Sequence, residues 1–89
     1  MQLHVIVRGR VQGVGFRWFV GQAARELGVG GWVRNRADGT VEIAAEGDDR
    51  AIGTLRARLA IGPSGAVVRS VDDVEPIVEP LAKPFMITK

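Results

Sequence analysis

The sequence predicts an α+β domain of order βαββαβ, in which two helices cover one face of an antiparallel sheet of four to five strands. Three observations carry this reading. Apolar residues alternate with period two in separated short segments, they recur with helical spacing in two longer segments between them, and glycine, Asp-Gly and Gly-Pro fall at the junctions. The chain has 89 residues, 46% of them hydrophobic and 25% charged, which suits a single domain over residues 1–89 with a core of its own. It contains no internal repeat, linker or low-complexity tract.

Leu3, Val5 and Val7 alternate with His4, Ile6 and Arg8, giving a first strand with one wholly apolar face. Beyond a glycine-rich stretch, Phe16, Phe19, Val20, Ala23, Ala24 and Leu27 follow helical spacing, and Gly28 is a good helix stop. Gly31 to Asn35 and Thr40 to Glu46 read as two strands joined by a hairpin turn at Asp38-Gly39. In the second of these, Val41, Ile43 and Ala45 alternate with Glu42, Ala44 and Glu46. Asp48 or Asp49 can cap a second helix that carries Ile52, Leu55 and Leu59 on one face and ends at Gly62-Pro63. Val67 to Val78 contains at least one more strand, with Pro76 marking an edge or an end, and Phe85 to Thr88 form a short last strand after Pro80 and Pro84. This is the ferredoxin-like, split βαβ arrangement.

Composition narrows the chemistry. Without cysteine there is no disulfide framework, no thiolate nucleophile and no sulfur-based zinc site, and a reducing cytoplasm is the expected location. The apolar run from Leu3 to Val7 is too short for a signal-peptide core or a membrane span, so no membrane association is expected. Net charge is only +2, which makes the placement of individual arginines matter more than their number.

One stretch concentrates the interest: Gly9-Arg10-Val11-Gln12-Gly13-Val14-Gly15-Phe16-Arg17, between the first strand and the first helix. Glycines there permit backbone angles and close approach that a Cβ resists, so successive amides can converge on an anion. The helix start adds its free N–H groups and the positive end of its dipole, and Arg17 offers a planar charged fork for phosphate oxygens. On these features alone, a glycine-rich turn with a surface arginine is an equal alternative. The stretch is not a dinucleotide fingerprint, since Trp18 stands where the third glycine belongs, and it lacks the GK[ST] ending of a Walker loop.

The stretch resembles the first signature of the acylphosphatase family, in which the loop wraps the substrate phosphate and the arginine completes its binding. Gly31-Trp32-Val33-Arg34-Asn35, followed by Gly39-Thr40-Val41-Glu42 and Gly47, is similar to the family's second signature, whose asparagine is the other catalytic residue. The resemblance spans essentially the whole chain. It implies that Arg17 binds the phosphoryl oxygens and that amides from Gln12, Gly13, Val14, Gly15 and Phe16 share that task. It also implies that Asn35 orients the attacking water in metal-independent hydrolysis of an acyl phosphate to a carboxylate and inorganic phosphate. No cofactor and no metal are expected, the partners being the small-molecule acyl phosphate and phosphate, and the enzyme is expected to be a cytoplasmic monomer. The alternative is a catalytically silent anion-binding regulatory module of the same fold; larger hydrogenase-maturation proteins share the domain as an acylphosphatase-like module.

Other residues receive plainer readings. His4 has no ligand-spaced partner and is read as structural or solvent-facing. Asp48-Asp49 and Asp72-Asp73 are read as caps or turns rather than converging carboxylates. Gln12 is more a loop brace than a catalyst. Trp18 and Trp32 are read as packing surface, with a pocket mouth for an apolar acyl group as the alternative. RNA-recognition domains share the strand order, but the first and third strands here carry no aromatic for base stacking, and Glu42 and Glu46 would repel phosphates, so no nucleic acid is expected.

Overall fold

The computed structural model describes residues 1–88. Its elements in chain order are β1 (Gln2–Arg10), α1 (Phe16–Leu27), β2 (Gly30–Asn35), β3 (Val41–Glu46), α2 (Asp49–Ile61), β4 (Val67–Asp73) and β5 (Met86–Ile87). The strands form one sheet in the order β4-β1-β3-β2-β5, and both helices pack on one face of it. Leu3, Val5 and Val7 of β1 and Ile43 of β3 meet Phe16, Val20 and Ala24 of α1 and Ile52, Leu55 and Leu59 of α2 in the core. The two periodicities thus bury most of the residues that announce them, with Phe19 and Leu27 half-buried against the core.

One pairing departs from the antiparallel expectation. β5 joins β2 in parallel, with Trp32 opposite Met86 and Val33 opposite Ile87. β4 and β5 lie at opposite edges, so the intervening chain must cross the sheet. It does so at one end: Ile77 N–H donates to Gln2 Oε1 at 2.8 Å, and Gly31 N–H donates to Ala82 O at 2.9 Å. A single crossing brings β5 back running in the direction of β2. Ile87 then packs against Gly21 of α1, where a Cβ would lie 2.5 Å from its Cδ1.

Two sequence readings are corrected. Gly9 belongs to β1, at a bulge opposite β4 where a Cβ would meet Val67 O at 2.1 Å, so its absent side chain serves strand contact and not the loop. Asp72 and Asp73 lie on β4 rather than in a turn. Arg8 Nε donates to Asp72 at 3.0 Å, and Arg56 donates to both oxygens of Asp73 at 2.7 and 3.0 Å.

The sheet face away from the helices carries a polar network that buries Glu42. Arg34 Nε donates to Glu42 Oε1 at 2.9 Å from the directly opposed position on β2, and His4 Nε2 lies 2.6 Å from Oε2. His4 Nδ1 faces the Glu75 carbonyl, and the Arg34 guanidinium stacks 4.7 Å above the Trp32 ring. His4, unpartnered in sequence, is therefore fixed by a residue 38 positions away. Burial pushes the Glu42 carboxyl up, but hydrogen bonds from His4 and Arg34 and their charges outweigh it, leaving Glu42 below its ordinary value.

A carboxyl with a lowered folded-state pKa stabilises the fold at pH above its unfolded value of 4.5, and that contribution disappears as pH falls through the folded value. Glu42→Gln is expected to cost about 1–2 kcal/mol at neutral pH. It should also flatten part of the acid slope of stability, the remainder coming from Asp38 and Asp73, which are lowered likewise. Urea unfolding between pH 3 and 7 checks this; a slope identical to that of the parent protein would refute it.

Candidate active site

The two helices begin differently. α2 is closed by Asp48, whose Oδ1 accepts from Ala51 N–H at 2.8 Å, with Asp49 adding negative charge in the first turn. α1 has Gly15 as its N-cap, no side-chain cap bond and no acidic residue in its first turn. Its leading N–H groups and positive dipole end are left open. The loop before it holds Gly13 at φ 75° and Gly15 at φ 76°, the left-handed region, with nothing within 4 Å of the place a Cβ would occupy. Glycine is needed at both for its backbone angle rather than for space.

Gly13, Gly15, Phe16, Arg17 and Asn35 line one cleft of about 380 Å³. Val14 instead packs against the core, and the Gln12 side chain points to the hairpin beyond β2. Arg17 comes from the first turn of α1, and its Nη1 donates to Thr88 O at 2.8 Å. Asn35 closes β2, and its Oδ1 is buried with no hydrogen-bond partner among the described residues. An unsatisfied buried oxygen is costly, and here it belongs to a carboxamide on the cleft wall.

Gln12 links the loop to the Asn35 side of the cleft. Its Nε2 donates to Arg36 O at 2.8 Å and Thr40 O at 2.9 Å, the two carbonyls that frame the hairpin turn. That turn is closed by the Thr40 hydroxyl, which donates to Asp38 Oδ1 at 2.6 Å, and by the Thr40 amide, which donates to the same oxygen at 3.1 Å. These two bonds, with the nearby charge of Arg36, hold the Asp38 carboxyl below its ordinary value.

Val11, Trp18, Ile87 and Thr88 complete the cleft. Sequence reasoning does not find Ile87 or Thr88, because they reach the cleft only through the parallel β2–β5 pairing; a glycine at position 21, inside a helix, is the sole local hint. Among the described residues no group of His, Cys, Asp or Glu is arranged to hold a metal ion, and no helix is long and apolar enough to cross a membrane.

Comparison with known proteins agrees on one family. The acylphosphatase family profile matches residues 3–86. The chain is 49% identical over 82 residues to an acylphosphatase of Koribacter versatilis, covering 92% of this chain and 74% of that protein. It is 49% identical over 84 residues to one of Bifidobacterium longum, covering 92% and 86% respectively. The crystal structure of acylphosphatase from Bacillus subtilis superposes with a TM-score of 0.90 at 38% identity, over 99% of this chain and 98% of that one.

Removing the Gln12 brace should release the loop without unfolding the domain. Gln12→Ala is expected to lower stability by about 1–2 kcal/mol, from two lost hydrogen bonds. Amide hydrogen exchange over residues 12–16 should accelerate more than in the core strands. Exchange in the loop that matches the parent protein would show that the two bonds do not hold it.

Proposed function

The chain belongs to the acylphosphatase family, and from that premise we propose that the cleft between the glycine loop, Arg17 and Asn35 is where it hydrolyses the carboxyl-phosphate bond of an acyl phosphate. The family's reaction gives a carboxylate and inorganic phosphate. In this reading Arg17 and amides from Gln12 to Phe16 hold the phosphoryl oxygens, and Asn35 orients the attacking water. The supporting observation is the coincidence, in one cleft, of an uncapped helix start, a guanidinium fork and a carboxamide oxygen with no donor among the described residues.

These groups suffice for the chemistry. The leaving carboxylate has a conjugate acid of pKa roughly 4, so it departs as an anion without a general acid. When bond breaking runs ahead of bond making, water meets an electrophile already close to metaphosphate, and a neutral carboxamide that positions it replaces a strong base. The growing charge is met by fixed amides and one permanent cation, which need no rearrangement at the moment of reaction. No step calls for a metal or a cofactor. A catalytically silent module of the same fold would need the cradle but no uncommitted carboxamide beside it. We further read residues 1–89 as one such domain, acting as a monomer in the cytoplasm.

Inorganic phosphate should inhibit benzoyl phosphate hydrolysis competitively, in buffer treated with a chelator. Arg17→Ala is expected to lose on the order of 3 kcal/mol or more of transition-state stabilisation, with weaker phosphate inhibition. Near-normal turnover in that variant would end the assignment. Asn35→Ala should lower kcat by roughly a hundredfold or more while weakening phosphate inhibition much less; equal damage to both would make Asn35 a binding group.

A further inference from the structure

The two tryptophans have different surroundings. Trp32 is covered by the Arg34 guanidinium and meets the edge of the His4 ring, so its surface is spent on the outer face of the sheet. Trp18 remains 65% exposed, although it follows Arg17 directly in the first turn of α1 and lines the same cleft. It lies outside the apolar stripe of the helix and buries little against the protein. An indole left in water forfeits one of the largest apolar contact areas a side chain can offer.

The cleft also has room to spare. A phosphoryl group is the size of a few waters at about 30 Å³ each, whereas the cleft measures about 380 Å³. Among the described residues, the side chains lining it apart from Arg17, Asn35 and Thr88 are apolar, with Val11 and Ile87 joining Trp18. An acyl phosphate seated by its phosphoryl group at the loop must place its remaining part, R–CO, against some of this wall. A wall with a free indole and aliphatic neighbours, and no acidic side chain, favours a flat apolar R group.

We propose that Trp18 forms an acyl subsite and gives the enzyme a preference for aromatic over short aliphatic acyl phosphates. This inference rests on the reading of Arg17 and the loop as the phosphoryl cradle. Contact with R is made alike in the bound substrate and in the transition state, so its loss should appear in KM more than in kcat.

The test compares benzoyl phosphate with acetyl phosphate in the parent enzyme, Trp18→Ala and Trp18→Phe, with inorganic phosphate as inhibitor in each. The ratio of kcat/KM values, benzoyl over acetyl, is expected to fall roughly tenfold in Trp18→Ala, through KM, and to be largely kept in Trp18→Phe. Phosphate inhibition should stay within about twofold of the parent value, showing an intact cradle. A ratio unchanged in Trp18→Ala would overturn the proposal, as would an equal loss with both substrates. Trp18→Gln replaces the alanine variant if that fails to fold. Failure of the cradle reading is separate and shows itself as retained turnover in Arg17→Ala, whatever the Trp18 ratio.

Discussion

Among the described residues no side chain caps the first amide hydrogens of α1, whereas in α2 the Asp48 carboxylate accepts from Ala51 N–H. With glycine at the cap position the missing side-chain bond costs only about a few tenths of a kcal/mol, and that cost falls where a negatively charged ligand can offset it. Other features of the site follow from keeping this end open and correctly shaped. Gly13 and Gly15 hold left-handed angles that shape the loop before the helix start, and Gln12 ties the loop to the hairpin. The open helix end and Asn35 then sit on one cleft, although the whole of α1 and β2 separates them in the chain.

The elements legible in the sequence are those whose signals are local. Period-two runs, a helical stripe, an Asp-Gly turn and an Asp48 cap each report a structure that closes within a few residues, and each forms where the residues place it. The turn chemistry at positions 13 and 15 is legible for the same reason. Illegible features depend on register across the sheet. The bulge at Gly9 exists because β4 lies alongside β1, and His4 acquires Glu42 only when β1 pairs with β3. Ile87 and Thr88 reach the cleft because a two-residue strand docks in parallel on β2, a choice made by the path of the chain rather than by the residues of the strand.

The outer face of the sheet illustrates how the fold separates support from chemistry. Glu42 is surrounded by Arg34 and His4, and Trp32 is covered by Arg34, so this face is taken up by its own side chains. Removing His4 or Arg34 would leave the buried Glu42 carboxylate short of a partner, and the three side chains join β1, β2 and β3 across this face. Asn35 stands next to Arg34 in β2 but on the other face of the strand, so one residue of β2 serves the Glu42 network and its neighbour serves the cleft.

Arg17 leans on the carbonyl of Thr88, 71 residues downstream. On a ribosome adding about 5–20 residues per second, several seconds separate the emergence of Asn35 from that of Thr88. Throughout that interval the nascent chain has its glycine loop and its arginine but lacks the strand that completes the pocket wall. The cleft wall is therefore completed only after β1 to β4 and both helices have been made.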